Sequence, residues 1–282
     1  MINMTFSQAP QAKSNSRLSI LIPVRNEGMN LKIFIKVLET MMEVPHEVLI
    51  IYDDPQDDSL PIITSLQKDF SNIRPVYNTK GVGVINAIKA GVNASKTEVI
   101  LITVCDETGV VFMFEDMLAL IDQGCEFVSG TRYAYGGRRL GGSWIGGLLS
   151  HLANRLLNLI SGSSLTDTTT GIKMFRRSAF DKLHLEAKPV GWAVTFEMAL
   201  KAQLAGCRLG EVPVISIDRL YGGKSTFKLG PVAERIPALV YMGGNSSATN
   251  LKKTALLSAC AHSIHNGKIS EENISLCKSL TW

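Results

Sequence analysis

Short apolar runs alternate with amphipathic stretches along the first 130 residues of the chain. Apolar runs bounded by turn residues are typical of buried strands, and apolar residues spaced by three or four are typical of helices. The predicted strands are Leu18–Val24, Glu47–Tyr52, Ile73–Tyr77, Glu98–Val104 and Glu126–Thr131. The predicted helices between them are Asn30–Met42, Leu60–Phe70, Gly83–Asn93 and Glu115–Gln123. Because single helices separate these strands, the pattern predicts βαβ units and a mostly parallel sheet flanked by helices, which is an α/β fold.

The pattern changes in the second half. Tyr133–Gly147 has six glycines in fifteen residues, so it cannot form a regular helix throughout and is predicted to be a mobile loop. Leu148–Leu159 and Trp192–Ala205 return to helical spacing. Arg208–Ser216 is predicted to be a strand, and the proline near its centre favours an edge of the sheet.

The composition is that of a folded globular protein. Of the 282 residues, 45% are apolar and 19% are charged, which provides a sizeable core and argues against wholesale disorder. No apolar run reaches the roughly 18 residues of a membrane-spanning helix. The five cysteines include no CxxC pair, so a disulfide framework and a zinc knuckle are both disfavoured and a reducing compartment is expected.

The net charge of +4 hides an uneven distribution. Residues 1–130 contain 10 Lys/Arg against 16 Asp/Glu, a balance of −6, whereas residues 131–282 contain 19 against 9, a balance of +10. One interpretation is a half that handles metal ions or nucleotides, followed by a half that binds anions. The alternative is an uneven solvated surface.

Acidic residues directly follow two of the predicted strands. Asp53 and Asp54 come after the second strand, and Asp106 and Glu107 come after Glu98–Val104. Because the carboxyl ends of parallel strands share one edge of a sheet, these acids are expected to converge on one crevice. Carboxylates gathered there suit a hard divalent cation that would bridge a diphosphate. Alternatively, these acids only form the turns that follow strands.

Two further segments belong to the same predicted edge. Pro23–Glu27 follows the first strand and offers Arg25 and Asn26 to a base or a phosphate; alternatively, Asn26 caps a helix. Gly81–Gly83 precedes a helix and follows Lys80, so its backbone N–H groups can approach a phosphate. The short GxG does not complete a dinucleotide fingerprint, and it follows a later strand, which argues against a Rossmann dehydrogenase.

The second half offers cations on glycine-rich segments. A phosphate clamp needs such cations, because the loop that carries them must open to admit substrate and close to exclude water. The candidates are Arg132, Arg138, Arg139, Arg219, Lys224 and Lys228. Asp167–Gly171 is a polar turn between apolar elements, with the composition of a capped helix start.

Eight segments, taken in order, resemble the family-2 glycosyltransferases of the dolichol-phosphate mannose synthase type. The resemblance covers roughly residues 17–230. The segments are ILIPVRNE, IIYDDPQDDS, NTKGVGVINAIKAGVNAS, ILITVCDE, SGTRYAYGG, SHLANRLLN, DTTTGIKMFRR and GWAVTFEMALKAQLAGCRLGEVPVISIDRLYGGKS. The segments of the second half discriminate best, since many family-2 enzymes share only the first half.

The resemblance implies a GT-A fold and inverting transfer of a hexose from a GDP- or UDP-sugar to a polyprenyl phosphate, dolichyl or undecaprenyl. It implies Mg²⁺ or Mn²⁺ as the cofactor, with Asp106 as the metal ligand. The nucleotide-sugar-binding residues expected from the motifs and the resemblance are Pro23, Arg25, Glu27, Asp53, Asp54, Lys80, Gly83 and Cys105. The acceptor-phosphate residues are Arg132, Arg138, Arg139, Ser150, Arg219 and Lys224. The expected catalytic residues are Asp106, Arg132 and Ser150.

Two positions depart from the family pattern. The DxD motif reads Val104-Cys105-Asp106, so its first acid is missing and weaker metal affinity is expected. Gly146 stands where relatives usually have Lys or Arg, four residues before Ser150, and Arg138 or Arg139 would have to replace that cation. Because Mg²⁺ can be held by one or two carboxylates together with water and substrate phosphates, Asp106 can suffice, and reduced activity or an altered substrate stays open as the alternative.

The resemblance also implies contact with a membrane without a spanning helix. We expect a disordered tail over residues 1–16, a GT-A catalytic domain over 17–226, an amphipathic segment over 227–250 that associates with a membrane, and a polar tail over 251–282. The amphipathic segment alternatively packs on the domain. The expected location is the cytoplasm, peripheral on the cytoplasmic face of a membrane. The expected partners are a nucleotide sugar, a polyprenyl phosphate and the membrane surface, without nucleic acid.

Two other functions stay open at this point. One is a family-2 transferase that acts on a soluble or cell-surface glycan. The other is a nucleotide-sugar-binding homologue with reduced activity or none, which Val104 and Gly146 would favour.

Overall fold

The computed structural model describes residues 16–140, 151, 154–155, 158, 163–186 and 191–217. The strands are β1 (Leu18–Pro23), β2 (His46–Tyr52), β3 (Ile73–Tyr77), β4 (Val99–Ile102), β5 (Phe127–Thr131), β6 (Arg138–Leu140), β7 (Lys173–Arg176), β8 (Leu209–Pro213) and β9 (Ile215–Ile217). The α-helices are α1 (Gly28–Met41), α2 (Ser59–Leu66), α3 (Val84–Ala94), α4 (Phe114–Asp122), α5 (Arg177–Lys182) and α6 (Ala193–Leu204). A 3₁₀ helix spans Thr108–Met113.

Seven strands form one central sheet in the order β3-β2-β1-β4-β7-β5-β8, and β6 pairs with β9 in a separate two-stranded ribbon. β7 runs antiparallel to both of its neighbours, and all other neighbouring pairs of the large sheet are parallel. The prediction of a mostly parallel α/β sheet is therefore confirmed. β8 lies at an edge, as the proline in its sequence indicated; the predicted strand divides at Val214 into β8 and β9.

Alternate residues of the central strands enter two different apolar layers. Leu18, Ile20 and Ile22 of β1 pack with α1, α2 and α4, whereas Leu21 packs on the opposite face with α3, α5 and α6. This period of two follows from the pleat of a strand. All four side chains are fully buried, and each such burial stabilises the fold by about 1.5–3 kcal/mol. Helices on both faces leave the sheet edges as the places where polar side chains gather.

Some elements differ from the sequence prediction. The segment Lys173–Ala179 forms β7 and the start of α5, although its sequence predicts neither a strand nor a helix. The apolar pattern is missing because a lysine, fully buried in the fold, occupies the first position of β7. The segment Tyr133–Gly147, predicted to be a loop, contains β6. Helix α2 ends at Leu66 rather than at Phe70.

The strand directions bring the important loops to one edge. β1, β2, β4 and β5 point the same way, so the residues that follow Pro23, Tyr52, Ile102 and Thr131 share the carboxyl edge of the sheet. The chain passes from β1 outward to β2 and β3, then returns to β4 on the other side of β1. Such a reversal of strand order opens a crevice at the carboxyl ends, which is where α/β proteins bind ligands.

Candidate active site

Acidic side chains from three strands approach one another around Cys105. Burial raises the pKa of the Cys105 thiol well above its usual value, and the nearby charges of Glu27, Asp106 and Asp57 raise it further. These three acids follow β1, β4 and β2 respectively. Asp106 is the acid of this group that was predicted to converge with others; Glu27 and Asp57 were not predicted to join it, and Asp53 and Asp54 are placed elsewhere. Asp106 itself is partly buried.

Much of the acidic β2–α2 loop has a structural role. Three of its side chains accept hydrogen bonds from the first N–H groups at the start of α1: Asn26 N to Asp57 Oδ2 at 3.0 Å, Glu27 N to Ser59 Oγ at 3.1 Å, and Gly28 N to Asp58 Oδ1 at 3.0 Å. These bonds satisfy donors that a helix start leaves unpaired. The alternative that Asn26 caps this helix is wrong, because the N-cap is Glu27 and the capping groups come from another loop.

The two acids next to β2 are placed differently. Asp53 is half-buried and its Oδ2 accepts a hydrogen bond from Gly83 N at 3.2 Å, which ties the end of β2 to the start of α3. Gly83 has a φ of 119°, a backbone conformation that favours glycine. Asp54 is exposed and accepts a bond from Gln56 N at 2.8 Å, as in an ordinary turn. Lys80 is exposed beyond β3. Asp53 and Gly83 are therefore joined, whereas Asp54 and Lys80 extend to solvent.

Pro23 and Arg25 follow β1 at the same crevice. Pro23 is half-buried and ends the strand, and the Arg25 side chain is exposed. The polypeptide between them is fixed by a hydrogen bond from Val24 N to Ile51 O at 2.9 Å. An exposed guanidinium on a fixed backbone can turn toward an incoming nucleotide.

Arg132, directly after β5, is clamped by Asp167. Its Nε donates to Asp167 Oδ2 at 2.7 Å and one Nη donates to Asp167 Oδ1 at 3.0 Å and to Thr169 Oγ1 at 2.9 Å. Burial would lower the pKa of Arg132, but the hydrogen bonds and the charge of Asp167, together with Glu107, raise it. The other Nη makes no hydrogen bond to a described residue, and its two N–H groups are of the kind that could donate to an anion.

Asp167 is a site residue that the sequence analysis missed. The polar turn described from the sequence leads into β7 rather than into a capped helix, the alternative interpretation, and the fully buried carboxylate of Asp167 holds Arg132. Burial raises the pKa of Asp167, but the hydrogen bonds and charge of Arg132 outweigh burial and lower it. The signal in the sequence was an acid beside three threonines, since Thr169 also bonds Asp167 from its own turn.

The turn around Asp167 is braced by polar side chains on both sides. Glu211 of β8 accepts hydrogen bonds from Thr166 N at 2.7 Å and Asp167 N at 3.2 Å. Asn154 donates to Thr169 Oγ1 at 3.0 Å and accepts from Thr168 N at 3.2 Å. Buried polar networks of this kind rigidify a site when they are satisfied. The geometry of Arg132 is therefore set before any ligand binds.

Lys173 lies beneath this network and is fully buried. Its Nζ donates to Ser129 Oγ at 2.7 Å, and Ser129 Oγ lies 3.1 Å from the carbonyl oxygen of Asp167. Burial lowers the pKa of Lys173 to about 7, although the charges of Asp167 and Glu211 oppose the shift. The lysine therefore sits near the midpoint of its titration at neutral pH.

Other expected acceptor residues are not brought together in the same way. Arg138 and Arg139 are neighbours in β6, so their side chains point to opposite faces of the ribbon; the first is exposed and the second half-buried. Ser150, Arg219 and Lys224 lie outside the described residues, as do Gly146 and the segments 227–250 and 251–282.

The altered DxD motif packs against an apolar wall. A Cβ atom added to Gly171 would lie 3.2 Å from Val104 Cγ1 and 3.4 Å from the Trp192 ring, so these three residues are neighbours. In the part of the chain that the structure describes, no group of three His, Cys, Asp or Glu side chains is arranged to hold a metal ion. Asp106 alone therefore fits an ion such as Mg²⁺ only when substrate phosphate and water supply the other oxygen ligands.

The family model named glycosyl transferase family 2 matches residues 19–184. The chain belongs to this family. Residues 19–184 include the crevice, Arg132 and Asp167, so the family match covers the described site. The expectation of a family-2 glycosyltransferase is confirmed.

Two curated relatives match at modest identity. The chain is 25% identical over 212 residues to glycosyltransferase AglD of Haloferax volcanii, a match that covers 70% of this chain but only 32% of that relative, about a third of its length. It is 23% identical over 215 residues to polyprenol monophosphomannose synthase of Mycolicibacterium smegmatis, covering 74% of this chain and 81% of that protein.

Solved structures share the fold. Glucosyl-3-phosphoglycerate synthase from Mycobacterium tuberculosis, in complex with Mn²⁺, UDP and phosphoglyceric acid, superposes with a TM-score of 0.60 at 16% identity, covering 84% of this chain and 82% of that one. The same enzyme with Mg²⁺ and UDP gives 0.59 at 16% identity, with 84% and 83% coverage. At such identity the likeness shows the fold alone, and the fold is GT-A as expected.

Proposed function

We propose that this glycosyltransferase moves a hexose from a GDP- or UDP-sugar to a polyprenyl phosphate. The observation that carries the proposal is the clamped guanidinium of Arg132, one Nη of which makes no hydrogen bond to a described residue, at the same sheet edge as Asp106. An arginine held in this way suits a phosphate acceptor. The likeness to a polyprenol monophosphomannose synthase supports the same acceptor class.

The donor is proposed to lie across the β1–β4 crevice. Arg25 and Glu27 would line the nucleoside, and the Asp53–Gly83 contact would shape the pocket beside it. Asp106 would hold Mg²⁺ or Mn²⁺ together with oxygens of the donor diphosphate and water, and such an ion would supply positive charge to the leaving diphosphate. The solved relatives that contain Mn²⁺ or Mg²⁺ together with UDP support this assignment.

The transfer step needs little chemistry from the protein. An oxygen of the acceptor phosphate attacks the anomeric carbon as the bond from that carbon to the diphosphate oxygen breaks, and the electron pair of that bond leaves with the nucleoside diphosphate. Attack opposite the leaving group inverts the anomeric centre. Because a phosphate monoester is already ionised at pH 7, no strong general base is required. Catalysis then rests on positioning and charge stabilisation.

Arg132 would orient the attacking phosphate, and Asp167 would keep the guanidinium in place. Ser150 and Arg139 are proposed to add contacts to the same phosphate, and Arg219 and Lys224 to close over it. Arg138 projects from the opposite face of β6 to Arg139 and is not assigned to that phosphate. The enzyme would work at a membrane surface, where its acceptor resides. Among the described residues, every helix is too short or too polar to cross a bilayer.

The test is a transfer assay with a panel of labelled nucleotide sugars, polyprenyl phosphate, and Mg²⁺ or Mn²⁺. The proposal expects a labelled product that partitions into organic solvent and forms only when both substrates are present. Donor binding without any transfer would contradict it and indicate a nucleotide-sugar-binding protein. Label that enters only water-soluble glycan would also contradict it.

A further inference from the structure

The ribbon formed by β6 and β9 has an unusual distribution of side chains. In this parallel pair Arg138 lies beside Ile215, and Leu140 lies beside Ile217. Because residues two apart in a strand share a face, these four side chains project from the same face of the ribbon. Leu140, Ile215 and Ile217 are 47%, 48% and 36% exposed, and Arg138 is exposed as well.

The opposite face of the ribbon is polar and turned inward. Ser216 is buried and Arg139 is half-buried. A strand pair that covers a protein core normally does the reverse, with aliphatic residues inward and polar residues outward. Among the described residues, the β6–β9 ribbon therefore presents three branched aliphatic side chains and an arginine on its outward face.

The ribbon is attached directly to the acceptor side of the site. Val214 N donates to Thr131 O at 2.8 Å, and Arg138 N donates to Val214 O at 2.9 Å. Arg132 is the residue that follows Thr131, so two backbone hydrogen bonds link the clamped arginine to the ribbon. The ribbon therefore begins close in the fold to the arginine that is proposed to bind the acceptor phosphate.

We propose that the outward face of the β6–β9 ribbon is a docking surface for an anionic lipid bilayer. The inference rests on the proposed function, because a polyprenyl phosphate can reach Arg132 only if its hydrocarbon chain stays in the membrane beside that arginine. Leu140, Ile215 and Ile217 enter the boundary between headgroups and acyl chains, and Arg138 pairs with lipid phosphate. This surface is separate from residues 227–250, which lie outside the described residues.

The first experiment removes the apolar character of the ribbon. The full chain is sedimented with phosphatidylcholine vesicles that contain about one-third phosphatidylglycerol. We expect the double variant Leu140→Thr/Ile217→Thr, which places the β-branched, strand-compatible threonine at both positions, to lose about tenfold or more in vesicle affinity. The matched control is Leu204→Thr, an exposed leucine at the end of α6 on the other side of the sheet, which should bind as the parent chain does. Unchanged vesicle binding by a double variant with the parent melting temperature overturns the proposal.

A second variant is designed to increase the affinity for vesicles, so its result cannot be explained by a variant that merely fails to fold. Ile217→Trp should bind the same vesicles several-fold more tightly, since tryptophan favours the interface, and its fluorescence should shift to shorter wavelength on binding. Leu204→Trp should show neither change. Equal responses from the two tryptophan variants overturn the proposal, as does vesicle-independent self-association that buries Ile217.

Two activity assays separate this inference from the proposed function. Transfer to a short-chain, water-soluble polyprenyl phosphate should be the same for the parent chain and the double variant, whereas transfer to vesicle-embedded acceptor should fall with vesicle binding. If the parent chain transfers no hexose but still needs the ribbon to bind vesicles, the proposed function fails and the docking surface stands. If the parent chain and the double variant transfer hexose to the vesicle-embedded acceptor at the same rate, the docking surface fails and the proposed function stands.

Discussion

The donor-side and acceptor-side portions of the sheet edge both collect charged residues, but they bond them in different ways. On the donor side, the carboxylates that follow β2 accept hydrogen bonds from backbone N–H groups of neighbouring segments. At the ends of β5 and β8 and before β7, charged side chains bond one another or short polar side chains in a buried network. The donor side shapes loops around a crevice, whereas the acceptor side fixes one cation in advance.

This difference predicts that substitution of the donor-side acid Asp106 reduces activity without reducing stability, whereas substitutions on the acceptor side reduce both. Loss of a half-buried carboxylate such as Asp106 leaves the core intact, because water can replace its contacts. Loss of a fully buried partner such as Asp167 leaves a charge without compensation.

Asp167→Asn should destabilise the protein by about 3–5 kcal/mol, because the mostly buried Arg132 loses its counter-charge. Chemical denaturation of the variant and the parent chain measures this difference. The matched control is Asp54→Asn, in an exposed turn, which should change stability by about 0.5 kcal/mol or less. If both variants lose about 0.5 kcal/mol of stability or less, the claim that Asp167 compensates the buried charge of Arg132 is contradicted.

The same pair should be sensitive to acid. The pKa of Asp167 is lower in the folded state than its ordinary value of 3.8, so its contribution to stability is present above that value and is lost as pH falls through the folded pKa. In Asp167→Asn this component of acid unfolding should be missing. If the parent chain and Asp167→Asn lose the same amount of stability between neutral and acidic pH, the assignment of this acid sensitivity to Asp167 is contradicted.

On the donor side, Asp106→Asn should reduce hexose transfer about 100-fold to 1,000-fold without changing the melting temperature, because charge stabilisation of the leaving diphosphate is lost. Val104→Asp, which restores an acid to the motif, should lower the Mg²⁺ concentration needed for half-maximal transfer. Transfer rates over a Mg²⁺ titration measure both effects. A large fall in melting temperature for Asp106→Asn would contradict the claim that this donor-side carboxylate acts in transfer without contributing to stability.

The buried lysine should give the acceptor side a distinctive pH dependence. Below about pH 7 Lys173 is protonated in both states; between its folded pKa of about 7 and its ordinary value of 10.5, the unfolded chain holds a proton that the folded chain has released. Stability should therefore rise with pH in this window, by at most about 1.4 kcal/mol per pH unit from this group. Lys173→Met should remove that slope in urea unfolding at a series of pH values. An unchanged slope would contradict the buried, weakly basic lysine.

The smallest expected effect concerns the capping loop of the donor side. Asp57→Ala should cost about 1–2 kcal/mol, because Asn26 N and Ser59 N lose their acceptor. Asp58→Ala, which removes a bond to Gly28 N alone, should cost less. Thermal unfolding of both variants ranks them, and the reverse order would contradict the capping assignment.

The sequence was informative where local pattern and fold agree. Apolar periodicity located the strands β1 to β5, and the parallel sheet then placed Asp106 and Arg132 on one edge. The pattern failed at Lys173, because a charged residue in a buried strand is stabilised partly by Ser129 and Glu211, which lie far from it in the chain and outside any local window. It failed at Asp167 for the same reason, since the partner Arg132 lies 35 residues away in the chain. Capping of α1 by Asp57 was equally non-local.

The most direct test of the account is the double variant Arg132→Gln/Asp167→Asn, which removes both charges of the clamp and leaves two amides that can still pair. Calorimetric titration with the nucleotide-sugar donor and rate measurements with polyprenyl phosphate are made on the same preparation. The account predicts donor affinity close to that of the parent chain and transfer reduced by about 100-fold or more. Full transfer activity, or an equal loss of donor binding and transfer, would contradict the role of this arginine as the acceptor-phosphate residue.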